Sequence, residues 1–214
     1  FSSIGMSIGI GGGSIVSRAL GEGRKEKALL SFNNQITLTI LLAIIALIVG
    51  FFLKIPILNN FGAKGGIMPL AISYFNIVLL GIPFLALSMM ANNNLRAEGK
   101  AKVAMVALLI PSVLNIFLDY LFIDIMNWGM QGAGWATSIS YIGCALFIAY
   151  FYISGKGELK VIPQLFKIDK KIISEIFSIG SVNLVRQGTI SLLAIVLNNT
   201  LFYYGNLEGG MGGE

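Results

Sequence analysis

The chain has 214 residues, 56% of them hydrophobic and 12% charged, with a mean hydropathy of +0.82, whereas an average soluble domain is about 25% charged; this excludes a soluble globular protein. It has no His and one Cys, Cys144, so a Cys/His zinc site, a Cys-His dyad, a Ser-His-Asp triad and a disulfide framework are all excluded, and the chain reads as a non-enzyme without a cofactor. The net charge of +5, from 15 Lys and Arg against 10 Asp and Glu, reads in so apolar a chain as membrane topology rather than a nucleic-acid footprint.

A bilayer core of roughly 30 Å takes about 20 apolar residues of helix, and six runs fit that length: 1–17, 30–53, 70–94, 103–123, 133–153 and 174–204. The fold class expected is therefore all-α, a polytopic bundle of about six spans in the lipid bilayer. Membrane β-strands would alternate strictly over about 10 residues, whereas ITLTILLAIIALIVGFF is apolar all round. Pro83 and Pro111 fall inside runs, are tolerated in a membrane bundle, and predict kinks. The chain opens at Phe1 inside an apolar run with no charged segment before it, which does not read as a signal peptide and is expected of a fragment.

In the first run Gly5, Gly9 and Gly13 recur every four residues, on one helix face where another backbone can come close. The stretch GIGGGS lacks the preceding strand and the following Lys of a nucleotide-binding loop. Basic residues alternate between loops: the first, third and fifth hold 12, the second two and the fourth none. That asymmetry puts loops 17–29, 95–102 and 154–173 on the cytoplasmic side of a plasma membrane. Domain boundaries follow as a partial helical lobe over 1–153, a cytoplasmic linker over 154–173, the first helix of a second unit over 174–204 and a Gly-rich flexible tail over 205–214.

Asp119 is the one acid deep in a run, where a carboxylate costs about 2.5–3.5 kcal/mol on insertion scales and faces a cavity or a partner. Asn115 precedes it by four residues and shares its helix face, either as interhelical glue or as part of a site. Asn92, Asn93 and Asn94, with Thr137 and Ser138, add uncharged oxygens. Carboxylate, amide and hydroxyl oxygens suit a hard monovalent cation, and a buried carboxylate can instead hold a proton. Arg186 is the one basic residue deep in a run, beside Asn183 and Gln187; it lines a substrate path, snorkels, or pairs structurally.

GGGSIVSRALGEGRKEKA (11–28), LRAEGKAKVAM (95–105), and NIFLDYLFI (115–123) followed by WGMQGAGWATSIS (128–140) resemble the multidrug and toxic compound extrusion (MATE) family, over about residues 5–205. The resemblance implies a transporter of twelve helices in two lobes, exporting organic cations or drugs against entry of Na+ or H+, of which this chain carries helices two to seven; the rest of the protein is then a missing partner. It also implies a cation site at Asn92, Asn115, Asp119 and Thr137, completed by a first-helix acid that this chain lacks, with Na+ as the only metal expected there. Two departures stand out: Gly180-Ser181-Val182 where the family's seventh helix has Gly-Leu-Pro, and GNLEGGMGGE where it continues into an Ala-rich eighth helix. The rival functions are a lipid-linked oligosaccharide flippase of the same superfamily, which calls for several basic cavity residues, and a membrane scaffold subunit without transport.

Overall fold

The computed structural model describes residues 2–63, 65–162 and 168–207; Phe1, Lys64, residues 163–167 with Lys167, and tail residues 208–214 lie outside the described residues. No strand occurs among the described residues. The elements are α1 (Ser2–Gly21), α2 (Lys25–Phe52), the short α3 (Lys54–Asn60), α4 (Ile67–Ala97), α5 (Ala101–Asp119), a π-helical segment (Tyr120–Ile125), α6 (Gly129–Ile153) and α7 (Lys170–Leu207). Five of these are long and apolar enough to cross a membrane, counting the π segment with α5, and the protein is a polytopic transmembrane helix bundle. The sixth expected span, α1, is a 20-residue helix rich in Gly and Ser and is not among these five. Pro83 and Pro111 both sit inside helices that continue on either side of them.

Burial is inverted relative to a soluble protein. Ile40, Leu41, Ile44, Ile45 and Ile48 of α2 are exposed, while Asn33, Asn34, Gln35 and Thr39 of the same helix are buried. Lipid solvates apolar side chains as well as a protein interior does, so helices associate through small residues and hydrogen bonds instead. The first helix shows the principle best. It packs against α4, α7 and α2. A Cβ on Gly5 would overlap the Ala86 carbonyl of α4, and one on Gly9 would stand 2.8 Å from the Met90 Cα. On another face, Gly11 meets the Ile176 backbone of α7, and Gly180 of α7 meets the Ser7 carbonyl. A third face sets Gly12 against the Gln35 side chain. The four-residue glycine repeat is the α4 face, as expected, and the glycines between its members serve the other two neighbours.

The chain turns twice by the same device at the basic end. Gly23 and Gly99 have φ of 72° and 75°, a left-handed conformation that glycine adopts at little cost. Around them Arg24 N–H donates to Ala19 O and Lys100 N–H to Leu95 O, the six-to-one bond that satisfies orphan helix carbonyls. The recurring Glu-Gly-(Arg/Lys) of residues 22–24 and 98–100 is thus a helix stop followed by a basic helix start.

Residues 154–162 form a strap back across this end. Asn33 clasps it, donating to Lys160 O (3.1 Å) and accepting from Ile162 N–H (2.9 Å). Asn34 accepts from Asp169 N–H, Glu98 from Glu158 N–H, and Leu159 is wholly buried. The seventh helix begins at Lys170, four residues earlier than the apolar run, because the Asp169 carboxylate accepts from the Lys171 and Ile172 N–H groups and caps it. It also runs unbroken through Gly180 to Leu207, so the first three residues of the expected tail are helical.

Candidate functional site

Three consecutive asparagines on α4 are fanned about 100° apart by the helix and go to three different neighbours. Asn94 is fully buried and donates to Gln35 Oε1 (2.7 Å), while Gln35 Nε2 reaches back to Asn94 Oδ1 (3.3 Å), locking α4 to α2. Asn93 donates to Met89 O and lies toward Gly9 and Gly13 of α1. Asn92 points the third way, toward α5, where its amide nitrogen donates to Ala104 O at 2.7 Å.

Beside Asn92 a cavity of about 300 Å³ opens between α4, α5 and α6. Asn92, Asn115 and Thr137 all line it, one from each wall. Ser88, Ser112, Ser140 and Tyr141 add hydroxyl groups that the sequence reading did not single out. Their signal lay in spacing: Ser88 precedes Asn92 by four residues, and Ser140 and Tyr141 follow Thr137 by three and four. Among the described residues no Lys or Arg lines the cavity.

The hydrogen bonds decide what these groups present. With its nitrogen committed to Ala104, Asn92 has its carbonyl oxygen left for the cavity. Thr137 spends its single proton on Ala133 O (2.9 Å), and Ser140 spends its own on Ala136 O (2.7 Å), so both oxygens retain acceptor capacity only. Among the described residues Asn115 Nδ2 is buried without a hydrogen-bond partner. Ser138, one residue beyond Thr137, turns away to donate to Ile77 O and packs over Gly81, a structural role.

Asp119 lies one turn past Asn115 and does not itself line the cavity. It is the last α-helical residue before the π segment, a widened turn that recurs at functional sites. Its Oδ1 is buried with no hydrogen-bond partner among the described residues. An orphaned carboxylate oxygen in a membrane helix is costly and calls for a cation or a proton. The described residues contain no group of three or more His, Cys, Asp or Glu placed to hold a metal ion, so a hard cation here would rest on one carboxylate and neutral oxygens.

Arg186 stands apart. It is exposed on α7, which packs on α1 and α2 rather than on the cavity walls. Its neighbour Asn183 is instead buried and donates to Ser7 Oγ at 3.0 Å, pinning α7 to α1. The polar patch read along SVNLVRQ thus divides between an interhelical bond and an exposed Arg186.

A profile of the MatE family matches residues 1–121. The multidrug export protein MepA of Staphylococcus aureus is 30% identical over 203 residues, 95% of this chain and 45% of that protein. The chain therefore spans about half the length of the curated relatives it matches. Two solved structures of a multidrug resistance MATE family transporter, one inward-facing and one outward-facing, each superpose with a TM-score of 0.85 at 28% identity. They cover 91% and 94% of this chain, which in turn covers 44% and 45% of theirs.

Proposed function

This chain belongs to the MATE family, and on that footing we propose that it forms part of a secondary active antiporter, exporting organic cations or drugs against entry of Na+ or H+ through a plasma membrane. The observation that carries this reading is the pairing of a cavity lined by Asn92, Asn115 and Thr137 from three helices with Asp119 Oδ1, unpartnered among the described residues, one helical turn past Asn115. Asp119 supplies the charge or the proton site, and Asn92, Asn115 and Thr137 supply neutral ligands from three helices. A cation bound between the walls would draw α5, which packs chiefly on α6 and only lightly on α4, toward both. Ligand that binds one arrangement better shifts the population toward it.

In this reading residues up to 153 belong to one lobe, 154–173 is the cytoplasmic connection, and α7 opens the second lobe with Arg186 on the substrate path. The equal match to an inward-facing and an outward-facing relative supports a lobe that keeps its internal packing while the transporter alternates. A flippase of charged lipid-linked sugars is disfavoured by the absence of basic residues in the cavity lining. The test is efflux of an organic cation from proteoliposomes of the full-length protein, with Na+ and pH gradients imposed separately. One gradient should drive transport and the other should not; transport driven by neither contradicts the coupling.

A further inference from the structure

A second cavity, an open groove of about 390 Å³, lies on the neighbouring face of α4, flanked by α2, α4, α6 and the strap. Its chemistry is the opposite of the first: apart from Ser88, on the ridge between the two, its walls are aliphatic and aromatic. Buried Phe32 and Tyr152, with ring centroids 4.8 Å apart, form part of its floor, and exposed Phe84, Leu146 and Ile153 stand at its edge. Along α6 it runs from Ala145 to Ile153, about 12 Å at the helical rise, from mid-span to the basic end of the bundle. There exposed Val161 of the strap lines it.

This end carries positive charge. Lys160 adjoins Val161 and is held in place by the Asn33 clasp on its carbonyl. Lys156 lies three residues past Ile153, its ammonium 5.7 Å over the Tyr150 ring, and both lysines are exposed. The acid between them, Glu158, is 3.7 Å from Lys25, and among the described residues neither Lys156 nor Lys160 has a carboxylate in ion-pair range.

We propose that this groove holds an acyl chain of an anionic phospholipid from the leaflet at the basic end, with its phosphate against Lys156 and Lys160. An apolar slot that starts at the bilayer boundary and runs along the helix has the shape of a lipid tail. Two lysines next to its mouth in sequence, with no carboxylate in ion-pair range among the described residues, would select an anionic headgroup over a zwitterionic one. A soluble organic cation would meet repulsion at that mouth and no carboxylate in the lining.

The test is native mass spectrometry of the delipidated full-length protein, titrated with dioleoyl phosphatidylglycerol and with dioleoyl phosphatidylcholine. Phosphatidylglycerol is expected to bind the more tightly. Lys156→Gln and Lys160→Gln should each weaken it about fivefold, the equivalent of about 1 kcal/mol per basic residue at an anionic surface, and leave phosphatidylcholine unchanged. Ala149→Trp, at an exposed edge of the groove, should remove the site for both lipids. Equal affinity for the two lipids, or binding unchanged in the lysine variants, overturns the proposal. So does a wild-type protein that binds neither lipid, since another segment of the full-length chain then fills the groove. The lysines are on the surface, so their variants decide the matter even if Ala149→Trp does not fold.

Discussion

At the scale of single residues, the polar groups of this bundle divide by what their protons are doing. Asn94, Gln35, Asn33 and Asn183 are consumed by interhelical or strap hydrogen bonds, whereas Asn92 and Thr137 spend their donors locally and keep oxygens free. Glu98, outside the spans, is a third kind. Burial pushes its carboxyl above the ordinary glutamate range, although Glu158 N–H donates to it. A raised pKa means that the folded state binds more protons than the unfolded one within that window, so stability falls as pH rises through it. Thermal unfolding of the full-length protein should therefore show this slope, and Glu98→Gln, which mimics the protonated form, should flatten it; a slope that survives the substitution contradicts this assignment. The sequence made Asp119, Asn115, Asn92 and Thr137 legible because polar residues are conspicuous in apolar runs. It hid Ser88 and Ser140, because a hydroxyl inside a helix is ordinarily absorbed by the carbonyl four residues back, and nothing in one sequence tells which hydroxyls also face a cavity.

Helix by helix, the hydropathy runs located the spans well, since a membrane helix must satisfy its backbone internally and must be long enough to cross. They misplaced ends. The seventh helix starts four residues before its apolar run because Asp169 caps it, and α3 lies in a loop too short and polar to register as a span. The π segment after Asp119 has no compositional mark at all. The glycines of α1, in contrast, announce their role through spacing. Gly9→Leu should lower the yield of folded protein sharply, because its Cβ would stand 2.8 Å from the Met90 Cα and backbone cannot give way as a side chain can. Gly21→Ala, with nothing within 4 Å, should be neutral. Size-exclusion profiles in detergent separate the two outcomes, and equal profiles would show that α1 does not need close approach to α4.

For the whole molecule, orientation and coupling remain the claims that no helix carries alone. The loop charges predict Lys25 and Lys100 inside the cell and Asn127 outside. Native Cys144 is buried and should stay silent toward a membrane-impermeant thiol reagent in intact cells, Cys introduced at position 25 or 100 should be protected, and Cys at 127 should be labelled. The reverse pattern would invert the topology. The central claim is that Asp119, with acceptor oxygens gathered from α4, α5 and α6, is where the driving ion binds. Asp119→Asn keeps the side chain's shape and hydrogen-bonding capacity but removes its charge, which a merely structural residue should tolerate. Ion-driven efflux by the full-length protein, measured in vesicles matched for transporter content, should be abolished in Asp119→Asn and partly lost in Asn115→Ala and Thr137→Ala. Normal efflux by a well-expressed Asp119→Asn would contradict the account and leave that carboxylate as packing.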